Sequence, residues 1–349
     1  MKSAPPTERI EIIDALRGLA ALGVCWFHFT RGTGDFFPEG WLNHTGAYGF
    51  FGVHVFFVVS GFVIPFTLVK SSYQIRSYFR FLARRIVRLD PPYFVSILLV
   101  LGVGFALMRF TNSHAGQLPY ESLTQLLLHL GYINALFDYK WLSPIYWTLA
   151  IEFQYYLMLG LVFPLLFSSK KTLRFACTAA ICAFPFLVSN HSLVFRYLPW
   201  FLFGIYACYL HTKRVNLNEY AVALALLTGL SVYLYDITGA CVLLGTSLLI
   251  AFYKGRIGRI LAFFGTISYS LYLTHVPVGC TLLNLSDHFH LGIGGKCLAL
   301  AAAWAATIAA SYAMYRLFEK PALKLASRIR YRSSPAPKPN TPAIPAALS

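Results

Sequence analysis

"ALRGLAALGVCWFHF", residues 15–29, has the apolar density of a membrane-spanning helix, broken by two residues, Arg17 and His28. On an α-helix eleven residues turn through about 1,100°, roughly 20° past three full turns, so both side chains point the same way. Their axial separation is about 16 Å. One helix face therefore carries a fixed cation near its start and a titratable imidazole deep inside. Ionisable groups at membrane depth are costly and mark candidate functional positions.

The rest of the chain suits the same environment. Of 349 residues, 57% are hydrophobic and 12% charged, with a mean hydropathy of +0.60, whereas a soluble domain carries about 25% charged residues. A hydrocarbon core about 30 Å thick needs roughly 20 apolar residues to cross. Such runs occur at 11–30, 48–69, 91–110, 144–167, 175–190, 195–211, 218–235, 237–253, 260–283 and 295–317. The fold class predicted is all-α, a polytopic transmembrane helical bundle of about ten spans. Residues 121–139, "ESLTQLLLHLGYINALFDY", are apolar but short and dotted with polar groups. They read as an interfacial or re-entrant helix between the third and fourth spans.

Charge supports that topology. With ten spans, 24 of the 29 Lys and Arg fall on the side holding both termini, in 1–17, 70–88, 170–174, 213–214, 254–259 and 316–338. By the positive-inside rule that side is cytoplasmic. The net charge of +16 is then an orientation signal that also meets anionic headgroups of the lipid bilayer. No nucleic-acid partner is expected, because no soluble domain is present to dock a duplex.

The expected organisation is a cytoplasmic N-terminal tail (1–10), a transmembrane domain (11–325) and a basic, then Pro-rich, disordered tail (326–349). The seven cysteines are scattered through apolar segments without metal-ligand or secreted-framework spacing, so packing is their expected role and no metal is expected. Neither a cleavable signal peptide nor an internal repeat is evident, and no second catalytic domain is expected.

Of thirteen acidic residues only Glu152 falls well inside a span, and of ten histidines His28, His54 and His275 do. Counted from the span ends, these four share one depth, in the outer half or near the midplane. Each has a plainer alternative. His54 and His275 are candidates for interhelical hydrogen bonds, and His275 also for capping a carbonyl freed by Pro277. Glu152 is also a candidate packing anchor, and Arg17 can snorkel to the interface.

"YFRFLARRIVRLDPPYF", residues 78–94, sets Arg80, Arg84, Arg85 and Arg88 just before the third span. Arg84 and Arg88 stack at i, i+4, and Arg85 and Arg88 at i, i+3. Arginine suits bidentate phosphate recognition, so the cluster is either a mouth for a phosphorylated cytosolic ligand or a topogenic signal.

Six segments together resemble the acyltransferase family 3 membrane proteins, which transfer acyl groups onto cell-envelope sugars and other acceptors. "RGLAALGVCWFH" matches the family's Arg–x10–His pattern at Arg17 and His28. "GVHVFFVVSGFVI" (52–64) is similar to its second-span signature, and "RRIVRLDPPYF" carries Arg-x-x-Arg as Arg85 and Arg88. "WTLAIEFQYY" (147–156) resembles Trp-Ser/Thr-Leu-x-x-Glu, with the acid at Glu152. "GTISYSLYLTHVPV" (265–278) and "YRLFEKPALKL" (315–325) resemble the closing segments. The chain departs from many relatives at His54 and at Asp90.

The resemblance implies a stand-alone acyltransferase of the bacterial cytoplasmic (inner) membrane. Its donor would be an acyl-CoA, most simply acetyl-CoA, and its acceptor a hydroxyl of a carbohydrate or glycolipid. Arg85 and Arg88, with Arg84 and Arg17, would hold the donor's phosphates. His28 would be a general base or a transient acyl carrier, with Glu152 orienting it as a carboxylate does in a triad. His275, Tyr272, Ser60 and His54 are candidates for the acceptor or oxyanion site. A multi-pass transporter of a sugar or other small molecule is the main alternative, since transporters also bury polar groups at the midplane.

Overall fold

The computed structural model describes residues 11–33, 36–37, 40–111 and 120–330. The expected N-terminal tail and all of the Pro-rich tail beyond residue 330 lie outside them. Among the described residues the secondary structure is entirely helical. The helices are α1 (Glu11–Arg31), α2 (Trp41–Gly49), α3 (Gly52–Lys70), α4 (Tyr78–Thr111), α5 (Leu123–His129), α6 (Tyr146–Leu166) and α7 (Lys171–Leu187). There follow α8 (Leu198–His211), α9 (Leu217–Leu234), α10 (Ile237–Phe252), α11 (Arg259–Thr274), α12 (Thr281–Asp287), α13 (Ile293–Met314) and α14 (Lys320–Ser327). Two π-helical turns, His275–Cys280 and Tyr315–Glu319, join α11 to α12 and α13 to α14 without a break.

A helix lies at each of the ten expected positions, but six stretches are long and apolar enough to cross a membrane. They are Glu11–Arg31, Trp41–Lys70, Ile75–Arg109, Tyr146–Leu166, Leu217–Leu234 and Ile293–Arg328, which makes this a multi-pass membrane protein. Two apolar helices fall short: α8 has 14 residues and α10 has 16. At 1.5 Å per residue they reach only about 21 and 24 Å. Residues 121–139 hold the seven-residue α5 and a short 3-10 turn, Asn134–Phe137. A helix of about 10 Å cannot cross a bilayer core. Tyr132 ties this segment to α4 by donating to Asp90 Oδ1 at 2.9 Å.

In lipid, helices associate through close packing and interhelical hydrogen bonds rather than through the hydrophobic effect. Glycines supply the close approach. A Cβ on Gly18 of α1 would lie 2.8 Å from the Gly265 nitrogen, and one on Gly265 of α11 would lie 2.2 Å from the Asp14 carbonyl oxygen. Tyrosine hydroxyls supply the cross-ties. Tyr73 donates to the Gly160 carbonyl at 2.8 Å, Tyr78 to Leu157 at 3.1 Å, Tyr209 to Leu166 at 2.5 Å and Tyr269 to Leu89 at 2.9 Å.

Pro277 has no N–H to give the Leu273 carbonyl four residues earlier. Ser96 Oγ of α4 bonds that carbonyl at 3.1 Å. The cap expected from His275 thus comes from another helix, and the His275 ring is left for other contacts.

Candidate active site

A cavity of about 300 Å³ opens between α1, α3, α4, α6 and α11. At one end it is lined by Asp14, Arg17, Arg85, Arg88 and Glu319, and further in by Ser60, Glu152, Tyr156, Thr148 and Tyr272. Three arginines thus face three carboxylates across one space. Buried ions are tolerated only when compensated in this way.

Each charged group has a structural reason for its place. Arg85 and Arg88 are three residues apart on α4 and both face the cavity. Arg84, rotated by about 100° from Arg85, is half-buried and does not line it. Of the two stacking pairs read from the sequence, the structure selects the i, i+3 pair. The Arg85 guanidinium, on a residue only 5% exposed, sits 5.7 Å from the Phe81 ring and 5.5 Å from the Tyr156 ring. Such faces favour a desolvated cation.

Glu152 is not where a triad would put it. Its Oε1 accepts from Ser60 Oγ at 2.5 Å, which sets it level with Ser60 on α3, six residues or about 9 Å along the helix from His54. Expecting Glu152, His28, His54 and His275 at one depth assumed helix ends in register, and the bundle staggers them. Ser60, a candidate for the acceptor or oxyanion site, has its proton engaged by Glu152. Tyr272 and Thr148 lie 2.6 Å apart, and both also reach the Ile145 carbonyl. That triangle takes up both hydroxyl protons, so Tyr272 shapes the cavity rather than polarising a carbonyl.

His28 and His275 do meet. Their ring centroids are 5.1 Å apart, and Tyr272, at the inner end of the cavity, lies 5.7 Å from His275. His275 is fully buried. Its Nδ1 is 3.2 Å from the Leu271 carbonyl, which can only accept, so the proton sits on Nδ1. Nε2 is then an unprotonated acceptor, and among the described residues it is buried without a hydrogen-bond partner. A π turn begins at His275, and such turns insert an extra residue that re-aims side chains, frequently at functional sites.

His54 lies apart from this pair. It stacks on Trp200, centroids 3.9 Å apart and planes 21° off parallel. Gly239 lets Asp236 close on its far edge, since a Cβ there would meet Asp236 Oδ2 at 2.9 Å and His54 Nε2 at 3.0 Å. These contacts are those of a packing residue.

The sequence reading passed over Glu319. It is 4% exposed, and its Oε2 accepts from Ser270 Oγ at 2.6 Å and from the Ser270 amide at 3.2 Å. The last apolar run ended at 317, yet helical structure continues through the π turn to Ser327, which carries Glu319 into the cavity wall. The signal was present in "YRLFEKP" as an acid framed by apolar residues. No three His, Cys, Asp or Glu converge as a metal site among the described residues.

Comparisons with known proteins identify the family. The family model described as an acyltransferase domain, that of acyltransferase family 3, matches residues 10–316. BcsY of Komagataeibacter xylinus, described as a membrane-bound transacylase, is 29% identical over 303 residues, 78% of this chain and 73% of that protein. The O-acetyltransferase OatA of Staphylococcus aureus is 30% identical over 168 residues, 46% of this chain and a quarter of that protein. No solved structure matches. The family match covers most of the chain, and the motif residues Arg17, Arg85, Arg88 and Glu152 line one cavity that ends beside His275 and His28: the chain belongs to acyltransferase family 3 and is a membrane acyltransferase.

Proposed function

We propose that the protein moves an acyl group, most simply acetyl, from acyl-CoA to a hydroxyl of a carbohydrate or glycolipid of the bacterial cell envelope. It would sit in the cytoplasmic membrane as a ten-span bundle with both termini inside. The distribution of Lys and Arg supports that orientation. The observation that carries the reading is the cavity itself, with arginines at one end and, beyond Tyr272 at the other, two histidines in contact.

Arg85 and Arg88, backed by Arg17, would take the donor's phosphates, for which planar guanidinium forks are suited. On α3 the cavity is lined from Val53 to Phe66, about 20 Å of helix, a length that suits an extended pantetheine arm. The thioester would then lie beyond Tyr272, against His275 and His28. His28 would take the proton of the acceptor hydroxyl as its oxygen attacks the thioester carbonyl. The C–S bond breaks, and the departing thiolate recovers a proton from the imidazolium. His275, fixed through Nδ1, would hold the His28 ring in place. Glu152 and Glu319 would balance the arginines and keep the cavity polar before the donor arrives.

The test uses the full chain in lipid nanodiscs with radiolabelled acetyl-CoA and extracted envelope glycans. Label transferred to glycan by the wild type and lost in His28→Ala supports the reading. Equal transfer by both proteins would overturn it.

A further inference from the structure

A second cleft, of about 340 Å³, lies on the other side of α6. That helix divides its faces between the two: Thr148, Leu149 and Glu152 line the arginine cavity, while Trp147, Ala150 and Ile151 line the cleft. The cleft walls are aromatic, built from Phe50, Trp141, Trp147 and Tyr197, and its polar edge is His191 with Ser192. Among the described residues no Lys, Arg, Asp or Glu lines it.

We propose that this cleft binds an uncharged sugar ring of the acceptor, stacked on Trp147 and Trp141. The proposal rests on the carbohydrate-acceptor reading above and names the site that reading lacks. A pyranose offers a flat C–H face and a rim of hydroxyls. The first matches the electron-rich face of an indole, the second a few polar groups at a pocket's edge. The absence of ionised side chains fits a neutral ring and excludes the phosphates that the first cavity is built to meet.

The walls are held rigidly. Gln154 of α6 donates to the Ser192 carbonyl at 2.9 Å and accepts from the Val194 amide at 2.9 Å, so the loop bearing His191 and Ser192 is pinned where it enters the next helical turn. The Trp141 loop is pinned by His129, whose Nε2 accepts from the Leu142 amide at 3.2 Å and whose ring meets Trp141 edge-on at 5.5 Å. Burial holds His129 below the ordinary imidazole range, which keeps that acceptor nitrogen unprotonated. Trp147 in turn leans on Tyr197, centroids 5.6 Å apart.

A line of ring contacts runs from the cleft wall to the reacting pair. Phe50 touches Phe27 at 5.8 Å, and Phe27 touches His28 at 5.0 Å. From the other cavity, Tyr272 touches His275 at 5.7 Å, and His275 touches His28 at 5.1 Å. Ring contacts thus link the walls of both spaces to the histidine pair.

The test measures initial rates in nanodiscs with radiolabelled acetyl-CoA and a panel of neutral and N-acetylated oligosaccharides as acceptors. Trp147→Leu and Trp141→Leu keep the cleft apolar but remove the ring faces, and Trp147→Phe keeps a ring. The Leu variants should raise the acceptor KM about tenfold and leave the KM for acetyl-CoA where it was. The Phe variant should recover most of the loss. An unmoved acetyl-CoA KM also shows that the variants are folded. If the wild type acylates an oligosaccharide and the Leu variants do so with unchanged acceptor KM, the cleft is lipid-facing packing and the proposal is overturned. If the wild type acylates none of the panel while still using acetyl-CoA, the carbohydrate reading itself falls, and the cleft assignment with it.

Discussion

The two spaces flanking α6 differ in what they were built to exclude. One places three arginines against three carboxylates; the other has four aromatic rings and no ionised lining residue. In a low-dielectric bundle a charged ligand gains from the first and is rejected by the second, because an unpaired buried charge is far costlier than a buried ring. On the proposed reading, a shared helix would serve two partners of opposite chemistry without either competing for the other's site. Single substitutions should separate them.

The largest effect belongs to the histidine pair. His28→Ala should lower transfer by about 10²–10⁴-fold, the usual worth of a positioned general base, with normal membrane insertion. It should act for every donor and every acceptor alike, as measured by label transfer in nanodiscs. Retained activity would mean that the histidine pair does not join the two spaces.

Next comes the arginine mouth. Replacing Arg85 and Arg88 together with Gln should raise the donor KM about 10–100-fold, since Gln keeps a neutral donor and each site gives up only the charge assistance, about 0.7–1.4 kcal/mol. The acceptor KM should stay put. Lysine at both positions should recover part of the loss, because charge returns without the bidentate fork. Raised salt should weaken wild-type donor binding in the same direction. A change in acceptor KM instead would break the division of labour.

Glu152→Gln is expected to be milder than a triad would require. Its bond to Ser60 can be kept by an amide oxygen, and what is lost is one of three charges opposing the arginines. Donor kcat/KM should fall by no more than about tenfold, roughly 1.4 kcal/mol. A thousandfold fall with an altered pH–rate profile would show that Glu152 reaches His28 during the reaction.

That sharpened expectation marks where sequence stopped and structure began. The helical class, the ten helix positions and the shared face of Arg17 and His28 were legible because composition and the 3.6-residue period determine them. So was the pairing of Arg85 with Arg88, as one of two options. The stagger between helices was not legible, because it is set by contacts such as Gly18 against Gly265 that no single helix encodes. Both π turns also escaped. Each breaks the period by one residue, and each carries a site residue, His275 at the start of one and Glu319 at the end of the other. The aromatic cleft was hidden for a different reason: Trp and Tyr near span ends read equally as interfacial anchors, and only the fold shows which of them face a concavity.

The smallest effect on activity should come from Ser96→Ala, which lies in neither space. It removes the donor to the Leu273 carbonyl that Pro277 leaves open, and it also parts from Tyr146 Oη at 2.8 Å. The cost should be about 1–3 kcal/mol of stability, seen as a lower Tm in detergent. Both KM values should be near those of the wild type. Loss of transfer at unchanged Tm would instead place Ser96 in the chemistry.

The most direct test is a cryo-EM structure of the full chain in nanodiscs with a non-hydrolysable thioether analogue of acetyl-CoA. The account predicts phosphate density against Arg85 and Arg88, an extended arm running past Ser60 and Tyr272, and the acyl end beside His275 and His28. Analogue density in the aromatic cleft, or phosphates held away from Arg85 and Arg88, would contradict it.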